Sequence, residues 1–203
     1  SRGLVGSEMC IRDSCLASQN QGATTILELA ELIGMKTGIV STARITHATP
    51  GATYSHAPER GWENDAELSA SAQAGNCKDI ARQLIEFPFG DGIELVLGGG
   101  RANFLPKQKQ DPEYTDQSGW RSDGRDLTQE WQSQRNNAQY VWNLSDFSQA
   151  LKRNGPILGL FEPSHMQYEY DRQLQGNKEP SLAAMTQAVS YTHLTLPTNG
   201  LVW

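Results

Sequence analysis

The stretch from Thr24 to Pro50 reads TTILELAELIGMKTGIVSTARITHATP. Its first half places apolar residues at Ile26, Leu29, Ala30 and Ile33, a spacing that predicts a helix. Thr24 or Thr25 supplies the N-cap and Gly34 stands near the end. Thr37 to Thr42 (TGIVST) then reads as a short buried strand. Thr49-Pro50 has the chemistry of another helix start, with threonine as N-cap and proline at the first helical position. A helix, a buried strand and a helix start in succession are the beginning of an α/β layout.

The rest of the middle continues that alternation. Ala66 to Phe87 reads as a second, longer helix with Ile80, Leu84 and Ile85 inward and Pro88 beyond it. Ile93 to Leu97 (IELVL) is a second buried strand, stopped by Gly98-Gly99-Gly100. Pro106 to Arg125 is polar and turn-rich, hence a surface excursion. Asp126 to Gln134 and Leu144 to Arg153 read as helices, and Pro156 to Phe161 (PILGLF) as a third buried strand. Strands alternating with helices predict a parallel sheet.

The chain has 203 residues, of which 37% are hydrophobic, and a formal charge of −6 from 17 Lys+Arg against 23 Asp+Glu. That length suits one domain. The acidic balance argues against nucleic acid as the main partner, because phosphate contacts need clustered Lys and Arg. The longest apolar runs, such as Ile93 to Leu97, are far too short to span a bilayer, so no transmembrane segment is expected. Three cysteines are too few for a disulfide-framework miniprotein but allow one bridge.

The two ends differ from the middle. Residues 1–14 (SRGLVGSEMCIRDS) have no amphipathic period and lack the apolar core of a secretory signal. Met9 to Ser14 is what ATGTGTATAAGAGACAG encodes once its last codon is completed as serine, and that string is the end of a transposase adapter used for sequencing libraries. Val189 to His193 (VSYTH) matches the reverse complement, GTCTCTTATACACAC. Both ends, 1–14 and 189–203, therefore read as translated adapter, and 15–188 as the natural segment. A strand-like alternation is the other reading of 189–203.

The segment after the first strand, Ser41 to His56, follows the end of a strand where open α/β sheets place their ligands. From residue types alone, Thr49 serves as a helix cap, His47 as a surface imidazole and Arg60 as a solvated arginine. Nothing in the types excludes a ligand role for any of the three.

A resemblance carries the reading further. STARITHATPGATYSHAPERGWEND resembles a stretch of the alkaline phosphatases, in the version shared by animal enzymes and some bacteria. The likeness continues through GNCKDIARQL, LVLGGGRANFLP, DPEY, YVWN, LGLFEPSHMQYE and EPSLAAMT, so it covers nearly all of 15–188. It implies the three-layer α/β sandwich of that superfamily, incomplete here, with a largely parallel central sheet. It also implies hydrolysis of phosphate monoesters through a phosphoserine, with two zinc ions and a magnesium ion. By resemblance Arg60 grips the phosphoryl oxygens, a task suited to its planar fork of donors. Thr49 matches a hydroxyl ligand of magnesium, a hard cation that prefers oxygen. His47 matches a histidine beside that magnesium, where it tunes the ion and its waters.

The family's Asp-Ser-Ala nucleophile motif has no copy in this chain, and the positions of its zinc ligands and magnesium carboxylates have no match in it. The sequence thus reads as an internal fragment, inactive alone. The resemblance also implies a calcium site made by Glu113, the Phe161 carbonyl, Glu162 and Glu179, since calcium takes several oxygens. Glu179 stands where many relatives have Asp, and surface acids are the other reading. The resemblance further implies a disulfide between Cys15 and Cys77, a periplasmic or extracellular parent and a homodimer. The alternatives are a related phosphodiesterase or sulfatase, or a non-catalytic calcium-binding or interaction module.

Overall fold

The computed structural model describes residues 24–174, 176 and 178–192. Four parallel strands form one sheet in the order β1-β2-β4-β3: β1 is Gly38–Arg44, β2 Leu95–Gly99, β3 Gln139–Val141 and β4 Ile157–Leu160. Ile39, Val96 and Leu158 stand in register across β1, β2 and β4 and enter one apolar cluster, whereas Leu95, Leu97 and Ile157 enter the other. The two central strands are buried along their whole length. Continuous apolar runs such as LVLGG and ILGL are what a strand covered on both faces requires.

Helices cover both faces. The first cluster is built by α1 (Ile26–Leu32), α4 (Ile80–Ile85) and α5 (Leu127–Gln134), through Leu27, Ile80, Leu84, Leu127 and Trp131. The second is built by α6 (Leu144–Ala150) and α8 (Leu182–Thr192), through Phe147 and Met185. Two short helices, α2 (Ala48–Gly51) and α3 (Ala70–Ala74), lie between β1 and α4, and α7 (Glu169–Leu174) lies between β4 and α8. These are helix, sheet and helix layers, the α/β sandwich that the sequence predicts.

Two sequence expectations need correction. The apolar stripe of α1 faces out: Ile26 is 87% and Ile33 75% exposed, while Glu28 and Glu31 are 1% and 2% exposed. Polar anchors decide the face. Thr25 and Glu28 form a reciprocal capping box. Glu28 Oε1 lies 2.5 Å from His56 Nε2, and Glu31 accepts the Thr37 hydroxyl. The long helix expected over Ala66 to Phe87 is broken into a 3₁₀ turn at Asp65–Glu67, then α3 and α4. Ser69 and Asp79 each cap a new helix through their side chains, and Asn76 between them sits at φ 55°. Ile80, Leu84 and Ile85 are inward as expected.

The polar excursion from Pro106 to Arg125 is pinned by two fully buried arginines. Arg101 forks onto Asp111, with Nε–Oδ2 and Nη2–Oδ1 both 2.7 Å, and donates to the Leu160 carbonyl at 3.0 Å. Arg121 forks onto Asp79 at 3.0 Å for both contacts and also meets Asp123. The second pair joins the excursion to the N-terminus of α4. Arg121→Ala leaves Asp79 buried without its cation, and the expected loss is about 3–5 kcal/mol. Urea denaturation measures it; a loss below about 1 kcal/mol would show that Asp79 finds another partner.

Candidate functional site

The end of β1 opens into a buried polar network. Arg44 turns onto Glu63, with Nε–Oε2 at 2.8 Å and Nη2–Oε1 at 2.7 Å. Thr46 donates to Glu63 Oε2 at 2.6 Å and accepts from Asn103 Nδ2 at 2.8 Å. Asn64 donates to Asn103 Oδ1 at 2.7 Å. Burial pushes Glu63 up, but Arg44 and Thr46 outweigh it and hold the carboxyl below its usual range. None of Arg44, Thr46, Glu63 or Asn103 stands out in the sequence. The only signal is the density of polar residues flanking a buried strand.

His47 and Thr49 project from this frame. The N-cap of α2 is His47, not Thr49, and no side-chain cap bond is made there. Thr49 is the second helical residue and is exposed. The helix-cap reading of Thr49 therefore does not hold. The His47 ring packs edge-on against His165, with centroids 5.3 Å apart. His165 comes from the loop after β4, and its Nε2 lies 2.7 Å from Arg44 Nη1. Burial, then Arg44 and His47, lower the His165 pKa, which favours the neutral ring. Arg60 lies in an exposed turn and makes no hydrogen bond or ion pair among the described residues.

The Gly98-Gly99-Gly100 turn joins this site to a second one. A Cβ at Gly99 would collide with the Ser164 carbonyl, and Gly100 sits at φ 97°. Glycine at both positions brings the turn against the loop after β4. Gly100 N donates to the carbonyls of Glu162 at 3.0 Å and Ser164 at 2.7 Å. Glu162 is thereby fixed beside Glu113 and Glu179. Its Oε1 accepts from the Tyr114 hydroxyl at 3.0 Å and Gln167 Nε2 at 3.2 Å. Glu179 Oε1 accepts from Gln167 N at 3.1 Å, while its buried Oε2 makes no hydrogen bond among the described residues. Glu113 lies 3.5 Å from Arg101 Nη2. Burial raises Glu162 despite the Tyr114 bond, and Glu113 adds to the rise. Burial and then the Glu162 charge raise Glu179 to about 7.

The three acids thus share one electrostatic environment, and the donor set is all oxygen, as calcium prefers. No group of three His, Cys, Asp or Glu side chains among the described residues is gathered in metal-binding geometry. Cys77 is buried and disulfide-bonded. Cys15 lies outside the described residues, as do the ends 1–14 and 193–203; Val189–Thr192 of the C-terminal stretch continue α8.

A family model described as alkaline phosphatase matches residues 11–195. The chain belongs to the alkaline phosphatase family. It is 42% identical over 194 residues to the tissue-nonspecific alkaline phosphatase of Gallus gallus, covering 91% of this chain and 36% of that protein. It is 41% identical over 197 residues to an alkaline phosphatase of Gadus morhua, covering 92% and 40%. The crystal structure of Thermus thermophilus alkaline phosphatase superposes with a TM-score of 0.56 at 28% identity, covering 90% of this chain and 33% of that one. The chain therefore spans well under half the length of these relatives. No helix among the described residues is long and apolar enough to cross a membrane.

The acid cluster of this alkaline phosphatase segment has a pH signature in the metal-free chain. Glu179 is raised to about 7 from the ordinary 4.5. The folded chain therefore keeps a proton that the unfolded chain has lost. That stabilisation is full below pH 4.5 and is lost as pH rises to about 7. Thermal melts in a chelating buffer should show stability falling across this window, and Glu179→Gln should flatten the fall. An unchanged profile in the variant would place the titration elsewhere.

Proposed function

We propose that the polypeptide to which this segment belongs hydrolyses phosphate monoesters through a phosphoserine, and that the segment supplies its phosphate clamp and one edge of its magnesium site. The observation that carries the reading is the run from Ser41 to Asp65. It matches the family's motif, and it leaves the C-terminal end of β1, where α/β sheets bind ligands. Arg60 sits in an exposed turn with its guanidinium uncommitted to any hydrogen bond or ion pair among the described residues, ready to fork over two phosphoryl oxygens. The exposed Thr49 hydroxyl offers an oxygen donor to magnesium, and His47, braced by His165, stands two residues from it. When bound, zinc and magnesium supply charge neutralisation for phosphoryl transfer. The residues present fit a contribution to the magnesium site and none to zinc.

The donor chemistry of Glu113, Glu162, Glu179 and the Phe161 carbonyl suits calcium as a structural ion of the parent, and the Glu179 oxygen without a hydrogen bond supports that reading, although the three acids are not gathered in metal-binding geometry among the described residues. The pairing of Cys77 with Cys15 belongs to the same reading, and the half-cystine at Cys77 supports an oxidising, extracytoplasmic location. The adapter origin of 1–14 and 189–203 also stands as a proposal, to be decided by the underlying DNA.

The chain alone, supplied with zinc and magnesium, is expected to leave p-nitrophenyl phosphate unhydrolysed, because a nucleophile and its activating groups act as a unit. In a full-length parent, Arg60→Ala is expected to lower kcat/KM by about 2–4 kcal/mol of transition-state stabilisation and to weaken inhibition by phosphate. Zinc-dependent turnover by the pure chain, or unchanged kinetics in the variant, would refute the assignment.

Calcium at a hundredfold its dissociation constant is expected to stabilise the parent by about 2.7 kcal/mol. A calcium-dependent shift in Tm that survives in Glu162→Gln would move the site elsewhere.

A further inference from the structure

We propose that the cavity at the amino end of the sheet binds a small oxyanion, a phosphate or a carboxylate, through the guanidinium fork of Arg135. The cavity lies at the opposite end of the strands from Ser41 to His56 and rests on none of the chemistry proposed above.

In a parallel sheet the loops that enter the strands lie at one end, and here all four loops contribute to one cavity. Lys36 precedes β1, and Asp91 and Glu94 precede β2. Arg135 and Asn136 precede β3, and Arg153 to Pro156 precede β4. The volume is about 780 Å³, within the range of small-molecule sites. Two glycines let its walls come together. Gly92 sits at φ 83°, and a Cβ there would fall on the Arg135 guanidinium. Gly155 sits at φ 142°, and a Cβ there would strike the Asn137 carbonyl, so the loop entering β4 rests on the loop entering β3.

Arg135 is fixed in place and left without a counter-charge. Its Cζ lies 4.5 Å from the centre of the Trp131 ring, and Nη1 donates to the Ile93 carbonyl at 2.7 Å. It makes no other side-chain hydrogen bond and no ion pair among the described residues. The side chain is half-buried, and burial lowers its pKa even though the charges of Glu94, Glu31 and Asp91 act to raise it. The acids on the rim are already engaged. Lys36 Nζ meets Asp91 Oδ2 and Glu94 Oε1 at 2.6 Å each, and Thr37 N donates to Glu94 Oε2 at 2.8 Å. Three basic side chains against two acidic ones leave the cavity positive in a chain whose net charge is −6.

Helix ends explain part of this. Lys36, Arg135 and Arg153 follow the C-termini of α1, α5 and α6, where positive charge is favoured. That does not explain a guanidinium held by a ring and a β2-entry carbonyl with donors to spare on a cavity wall. Such a group is a preorganised fork for two oxygens of one ligand. Asn136 and Asn154, exposed on the same wall, add neutral donors, and the exposed Arg153 adds a second charge.

The test is calorimetric titration of the full 203-residue chain carrying Arg60→Ala, so that the phosphate clamp proposed above contributes nothing. Inorganic phosphate and succinate are the probes, in chloride buffer. One of them at least is expected to bind with a Kd of about 1 mM or tighter. Arg135→Lys keeps the charge and loses the fork, and is expected to weaken that binding about tenfold or more. Arg153→Gln, at the exposed rim, is expected to weaken it about threefold. Binding of phosphate alone makes the ligand a phosphate, and binding of succinate alone makes it a carboxylate; either supports the site. Absence of binding by both probes up to about 10 mM, or undiminished binding in Arg135→Lys, would overturn the proposal. Should Arg135→Lys not fold, Arg153→Gln decides, and undiminished binding there overturns it.

Discussion

The close approach of the Gly98-Gly99-Gly100 turn to the loop after β4 is the constraint on which the rest depends. It exists because glycine removes a Cβ that would strike the Ser164 carbonyl and permits φ 97° at Gly100. Three backbone hydrogen bonds follow the approach: Gly100 donates to Glu162 and Ser164, and Arg101 donates to Glu162 at 2.9 Å. One consequence is that His165 reaches Arg44 and His47. Another is that Glu162 faces Tyr114 and Glu179. The segment that follows β1 and the acid cluster are therefore positioned by the same few atoms. A side chain at Gly99 would disturb both.

Around that turn the molecule uses buried charge to fix connections rather than to add bulk stability. Arg101 and Arg121 are wholly buried, and each forks onto a nearly buried aspartate. Such pairs roughly balance desolvation against attraction, so replacing both partners by apolar groups would cost little. What they specify is geometry. A loop from Pro106 to Arg125 with few apolar residues cannot choose its resting place by hydrophobic burial. Two guanidinium forks choose it instead, one reaching β4 through the Leu160 carbonyl and one reaching the cap of α4 through Asp79.

β2 and β4 were legible in sequence because burial on both faces forces short apolar runs that no other element needs, and β1 was legible from Ile39-Val40 although only Ile39 of it is buried. β3 was not, since QYV is too short to form a run. The helix over Ile26–Leu32 was legible in place and wrong in face, because periodicity counts apolar residues and cannot see that Glu28 has His56 for a partner 28 positions on. The break at Gly75-Asn76 was signalled by Ser69 and Asp79, whose capping chemistry outweighs the apolar spacing that runs through them. Family resemblance picked out His47, Thr49 and Arg60. The buried network at the end of β1, Arg44 with Glu63 and Thr46 with Asn103, pairs across 19 and 57 positions and leaves no local pattern.

The acid cluster shows how far geometry alone constrains function. Burial raises the proton affinity of Glu162 and Glu179, the Glu113 charge adds to both, and the Glu162 charge adds to that of Glu179. Tyr114 and Gln167 satisfy part of this acceptor capacity with neutral donors, and Glu179 Oε2 receives no hydrogen bond among the described residues. Two species can compensate such a site. A proton does so below about pH 7, where Glu179 is neutral. Above that pH the cluster carries repelling charges in a partly desolvated place, and only a cation can offset them. Arg101 does not serve, because its fork is committed to Asp111 and it only approaches Glu113. A cation that takes oxygen donors is the chemical complement of such a cluster above that pH.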